Sequence, residues 1–105
     1  GSQANWSSVR LVGRGAGGAN RAGVGARVTV TAGGVTQTRE IQGNWGLAGL
    51  GAELVAHFGL GANCMIDRLE VRWPDAQGTR ETFTGVVANY RLEIRQGEGR
   101  VRYLR

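Results

Sequence analysis

His57 and Cys64 are the only histidine and the only cysteine of this 105-residue chain, and they stand together in the stretch HFGLGANC. A thiolate beside an imidazole is a nucleophile with its base, provided that a third group orients the imidazole. Alternation sets His57 and Phe58 on opposite faces of a short strand around Leu54–Phe58. The Gly59-Leu60-Gly61 that follows reads as a turn that needs backbone freedom rather than chemistry. Cys64 precedes Met65 and Ile66, an apolar context that raises a thiol's pKa and makes it inert. No Ser or Asp occupies a nucleophile-elbow context. The stretch therefore reads as architecture, with His57 expected to hydrogen-bond backbone and to anchor the preceding loop.

Other patterns meet the same test. GRGAGG, Gly13–Gly18, matches G-x-G-x-x-G after a predicted strand, but a dinucleotide site needs a helix next to receive the pyrophosphate. Here ANRAGVG leads into another strand, so no βαβ unit and no cofactor site is expected. The acidic residues are dispersed, and Asp67 and Asp75, the pair flanking one strand, lie roughly 25 Å apart, so no metal site is expected. Two R-x-E-x-R strands, Arg68/Glu70/Arg72 and Arg91/Glu93/Arg95, present their charges outward. Paired with a two-residue offset, they would form a solvated ladder of Arg–Glu contacts. Three tryptophans are the candidates for contact: Trp73 faces inward, whereas Trp6 on a polar strand face and Trp45 in a loop could be exposed.

The elements that must position these residues are strands. Nineteen glycines and one proline, Pro74, punctuate short β-branched runs with period-two alternation. Val9 and Leu11 face inward opposite Trp6, Ser8 and Arg10, and Ala26, Val28, Val30 and Ala32 face inward opposite Arg27, Thr29 and Thr31. Gly33-Gly34 makes a hairpin turn. The return strand VTQTREI, polar on both faces, belongs at a sheet edge. Gly43–Gly51 is a loop holding Trp45, Leu47 and Leu50. DRLEVRWP points Leu69, Val71 and Trp73 inward and stops at Pro74, which cannot donate to a ladder. NYRLEIRQ points Tyr90, Leu92 and Ile94 inward, and a Gly97–Gly99 turn leads to RVRYL. The sum is an all-β fold, an antiparallel β-sandwich or partly closed barrel of seven to eight short strands.

The length fits one domain, residues 5–105, with Gly1-Ser2 reading as a tag scar and residues 1–4 as a disordered N-terminus. The net charge is +5, carried by arginine alone. Because the arginines are spread out and alternate with Glu and Thr, no nucleic acid is expected as partner. No apolar run is long enough to span a bilayer as a helix.

Taken in order, NWSSVRLVG (Asn5–Gly13), NRAGVGARVTVTAGGVTQTREI (Asn20–Ile41), HFGLG (His57–Gly61), DRLEVRWP (Asp67–Pro74) and VANYRLEIRQG (Val87–Gly97) resemble the ASPIC/UnbV domain. That is the C-terminal module of cartilage acidic protein and of many secreted bacterial proteins. The chain departs from the family pattern at GLAGLGAELVA, Gly46–Ala56, and at Val87, where a proline is common. The resemblance implies a glycine-rich accessory domain following FG-GAP/VCBS-type propeller repeats in an extracellular or cell-envelope protein. Any calcium would belong to that upstream propeller, and no cofactor to this domain. It implies no catalytic residues, and casts Asn20, Arg21, Gly23, Gly25, Arg27, His57, Phe58, Gly59, Gly61, Trp73 and Pro74 as structural motif. The expected role is non-catalytic: protein–protein or matrix adhesion contacts through Trp6, Trp45, Leu47 and Leu50. Carbohydrate binding through exposed Trp6 or Trp45 is the alternative, and no membrane insertion is expected.

Overall fold

In the computed structural model, residues 4–13, 25–41 and 55–104 are described. They form eight strands: β1 (Asn5–Val12), β2 (Arg27–Ala32), β3 (Val35–Glu40), β4 (Val55–Gly61), β5 (Met65–Arg72), β6 (Arg80–Val87), β7 (Arg91–Arg95) and β8 (Val101–Leu104). A first sheet has the order β4-β1-β7-β8 and a second the order β3-β2-β5-β6. All neighbours are antiparallel except β1 and β7, which run parallel. The architecture is a two-sheet β-sandwich, not a closed barrel. Among the described residues no helix is long and apolar enough to cross a membrane.

Period-two alternation builds the core. Val9 stands between Ala56 of β4 and Leu92 of β7, and Leu11 opposite Ile94. The second sheet contributes Val28, Val30, Leu69, Val71, Ile66 and Val86, and both sets join one buried cluster with Trp73 and Phe58. The inward assignments hold for Val9, Leu11, Ala26, Val28, Val30, Ala32, Leu69, Val71, Trp73, Leu92 and Ile94. Tyr90 is a correction: it precedes β7 and is exposed, because the strand starts one residue later. Ser8 and Glu93 are corrections of the opposite kind, outward by alternation yet buried. Ser7, on the core face, has a buried Oγ without a hydrogen-bond partner.

The R-x-E-x-R strands do not pair with each other. They are β5 and β7, one in each sheet. Each instead pairs charges locally: Glu93 with Arg95 at 2.8 Å and Arg10 at 3.5 Å, Glu70 with Arg68 at 3.9 Å and Arg80 at 4.0 Å.

β3 is the sheet edge that its polar pattern implies, and every residue of it but the half-buried Gln37 is exposed. From the face turned toward the first sheet, Gln37 Nε2 donates to the Gly59 carbonyl at 2.7 Å, and the Arg39 guanidinium lies 5.4 Å from the centroid of the Phe58 ring. On the opposite side of the sandwich, the Tyr103 hydroxyl of β8 accepts from Val87 N–H of β6 at 3.1 Å. Polar side chains thus bridge both open sides.

Two glycines are fixed by geometry. Gly33, at φ 58°, opens the β2–β3 turn, and a Cβ there would collide with the Asn63 carboxamide. Gly25, at φ 94°, packs where a Cβ would meet Pro74 at 3.3 Å. That contact joins two sequence motifs, the G-A-R-V entry to β2 and the W-P exit from β5.

Candidate functional site

HFGLG is strand through Leu60, and its last residue, Gly61 at φ 57°, ends β4 and enters the turn. β4 runs through Gly61, with Phe58 and Leu60 buried and His57 exposed on the outer face. The turn begins at Leu60, whose carbonyl accepts from both Asn63 N–H and Asn63 Nδ2 at 3.0 Å. His57 therefore sits four strand positions before Gly61, roughly 13 Å at the usual rise, and Cys64 lies beyond the turn. Cys64 is exposed, contrary to the apolar setting its neighbours suggest, and so is Met65 beside it. The expected backbone hydrogen bond of His57 is not formed among the described residues.

His57 has another neighbour. It stands opposite Ser8, which stands opposite Arg91 on the far side of β1. With Arg10, Val55 and Leu104 they line a shallow cavity of about 470 Å³ on the outer face of the first sheet. A serine–histidine pair becomes a nucleophile when an acid orients the imidazole. The acid of this face, Glu93, is instead held between Arg10 and Arg95, and its hydrogen bond raises the Arg95 pKa above the ordinary guanidinium value. Among the described residues no group of three or more His, Cys, Asp or Glu could hold a metal ion.

The two ends of the sandwich differ sharply in what they expose. At one end lie the start of β1, the β2–β3 turn, the β4–β5 loop, the end of β6, the start of β7 and the end of β8. Asn89 N–H donates to the Trp6 carbonyl there at 2.7 Å, and Ala88 N–H to the Cys64 carbonyl at 3.1 Å, binding the two sheets together. Asn89 adopts φ 68° and completes the clasp, donating from Nδ2 to Asn5 Oδ1 at 2.9 Å. Every large hydrophobic residue exposed among the described residues belongs to this end: Trp6, Val35, Met65, Val87, Tyr90, Tyr103 and Leu104. Tyr90 and Tyr103 meet edge to face with centroids 5.2 Å apart, and Met65 stands opposite Val87.

The other end is charged and tied shut. Trp73 is buried, its Nε1 donating to Glu81 Oε2 at 2.6 Å, and the same oxygen accepts from Gly97 N–H at 3.1 Å. Asp75 accepts from Thr79 N–H at 2.8 Å and from Gln96 Nε2 at 3.0 Å. Hydrogen bonds from Thr79, with Gly78 and Gln96, lower the Asp75 carboxyl below its ordinary value against a smaller desolvation effect. Glu81 and Asp75 thus carry the second sheet onto the β7–β8 turn of the first.

Of the residues that the sequence singles out for contact, Trp6 is exposed by 42 % at the apolar end. Trp45, Leu47 and Leu50 lie outside the described residues, as do Asn20, Arg21 and Gly23. Gly25, Trp73 and Pro74 meet at the charged end, while Phe58, Gly59 and Gly61 build β4. Tyr90, Tyr103, Met65 and Val87 escape sequence reasoning, because each is a hydrophobic residue at a strand terminus where alternation says nothing about exposure.

A family described as ASPIC and UnbV matches residues 15–101. Searches among curated proteins and among solved structures returned no match.

Proposed function

The chain belongs to the ASPIC and UnbV family, and from that premise we propose that it is a non-catalytic interaction module whose apolar end docks against another protein surface. The observation that carries this reading is the gathering of Trp6, Val35, Met65, Val87, Tyr90, Tyr103 and Leu104 at one end. Contiguous exposed apolar surface is uncommon on a free-standing monomer. Tryptophan and tyrosine are also the side chains that concentrate binding energy at protein interfaces. Family resemblance supports a setting in a secreted or cell-envelope multidomain protein, beside an upstream FG-GAP/VCBS-type propeller that would hold any calcium. Adhesion or matrix attachment is the corresponding role.

The test is a Trp6→Ser/Tyr90→Ser variant. The isolated domain is expected to bind an apolar fluorescent dye and to self-associate, and the variant to lose both while keeping its melting temperature within a few degrees. A wild-type domain that is a dye-silent monomer overturns the reading.

Carbohydrate binding through Trp6 is the second reading, favoured by its exposed indole beside the Asn5–Asn89 carboxamide clasp. A glycan array distinguishes it: binding that disappears in Trp6→Ala supports it, and no binding removes it.

A further inference from the structure

Away from the apolar end, Arg27, Arg72 and Arg80 stand side by side on three adjacent strands of the second sheet. Arg27 is directly opposite Arg72 across β2 and β5, and Arg72 directly opposite Arg80 across β5 and β6. With neighbouring strands about 4.8 Å apart, the three stems leave the sheet within roughly 10 Å of one another. Like charges directly opposite each other destabilise a sheet, so the row is maintained against its own repulsion.

The counter-charges on this face fall short. Glu40 lies 3.6 Å from Arg27, and Glu70 lies 3.9 Å from Arg68 and 4.0 Å from Arg80. Four cations, Arg27, Arg68, Arg72 and Arg80, therefore face two carboxylates, and Arg72 has no ion-pair partner among the described residues. Asp75, just past the Trp73–Pro74 corner, is committed to Thr79 and Gln96. The side chains of Arg27 and Arg80 are 58 % and 63 % exposed. Between them a shallow cavity of about 220 Å³ opens, lined by Arg27, Thr29, Thr38, Glu70, Arg72 and Arg80.

Hydroxyls fill the rest of the face. Thr29 and Thr38 share a hydrogen bond of 3.1 Å, and Thr31 and Thr36 one of 3.0 Å. One hydroxyl of each pair keeps its proton free to donate, and both keep acceptor capacity. Thr82 and Thr84 of β6 extend the array.

We propose that this face binds an acidic polysaccharide, with sulfate or uronate groups on the Arg27–Arg72–Arg80 row and sugar hydroxyls on the threonines. Guanidinium groups hold such oxyanions through paired, charge-assisted hydrogen bonds. The outward residues of these strands include no aromatic side chain, so nucleobases would find nothing to stack on. The arginine row and its threonines carry no apolar side chain to enter a bilayer; the exposed Met65 and Val87 stand at the opposite end of β5 and β6. A hydrated chain bearing anions and hydroxyls matches both parts of the surface.

The experiment measures solution binding of heparin, hyaluronate and a single-stranded oligonucleotide to the whole chain. Variants are Arg27→Gln, Arg72→Gln and Arg80→Gln, singly and combined. The control of equal charge is Arg91→Gln/Arg100→Gln/Arg102→Gln, and thermal melts verify folding. Binding of heparin, of hyaluronate or of both is expected, and which of them binds identifies the anion. Each single substitution is expected to cost roughly tenfold in affinity, the combined variant to abolish binding, and the control to retain it. Three results overturn the proposal: no polysaccharide binding, equal loss in the control, or an oligonucleotide bound as tightly as the polysaccharides.

Discussion

The sandwich ends at one extremity in Trp6, Met65, Val87, Tyr90 and Tyr103, and at the other in Trp73, Asp75, Glu81, Gln96 and the flanking arginines. The same strands supply both ends, yet one leaves its aromatic residues in solvent and the other draws its tryptophan inside. The difference lies in what closes each end. At the charged end, Glu81 and Asp75 reach across the sheets, so Trp73 can be covered and its indole N–H satisfied. At the apolar end, closure is done by backbone, asparagine and one phenol hydroxyl, through Asn89 to Trp6, Ala88 to Cys64 and Val87 to Tyr103. Closure of that kind buries no aromatic ring: Tyr103 lends its hydroxyl and keeps its ring exposed. The rings are left over, and left-over apolar surface is available to a partner.

The comparison breaks most forcefully at the two tryptophans. Trp73→Ala removes a buried ring and one of the two hydrogen bonds to Glu81 Oε2, and is expected to cost about 3–5 kcal/mol in chemical denaturation. Trp6→Ala at the exposed end is expected to change stability by less than about 0.5 kcal/mol. Comparable losses at both sites would mean that the ends are not distinct.

Gly33→Ala tests the tightest contact of the apolar end, where both the positive φ and the Asn63 carboxamide oppose a methyl group. A loss of roughly 1–3 kcal/mol is expected. Asn63→Gly in the same chain is expected to recover the steric part and leave the conformational part.

The two R-x-E-x-R strands offer a smaller contrast. Glu93, its side chain 8 % exposed, is gripped by Arg95 and Arg10, whereas Glu70, at 26 %, has only long contacts. Glu93→Gln is expected to cost about 1–2 kcal/mol and Glu70→Gln less than about 0.5 kcal/mol. Equal effects would contradict the difference in their surroundings.

Asp75 gives the charged end a pH signature. Its carboxyl is held below the ordinary 3.8, so the carboxylate favours the folded state above that value. This contribution disappears as pH falls below 3.8 and on through the lower folded value. Asp75→Asn is expected to be less stable than the parent at neutral pH, with a shallower loss on acidification. Identical pH profiles in urea titrations would remove the claim.

Much of this was legible in the residues. Alternation located the core of β1, β2, β5 and β7, and polarity located the β3 edge, because both depend on local pattern. What alternation does not carry is which strands become neighbours. The turn between Arg72 and Arg80 is short enough to suggest their pairing, but Arg27 joins the row only through the β2–β5 pairing across a long stretch of chain. The two R-x-E-x-R strands show the same limit. An identical pattern entered different sheets, and neighbours alone made one glutamate buried and the other half-exposed. HFGLG misled in part for a related reason: Gly59 sits in an extended strand beside Trp6 and Gln37, while Gly61, at φ 57°, does enter the turn.

The most direct test of the apolar end as the contact surface is a dilution series of the isolated domain, followed by amide chemical shifts. Concentration-dependent shifts are expected at Trp6, Met65, Val87, Tyr90 and Tyr103, with Arg27, Arg72, Trp73 and Asp75 unmoved. Shifts centred on the charged end, or a spectrum that does not change with concentration, would contradict it.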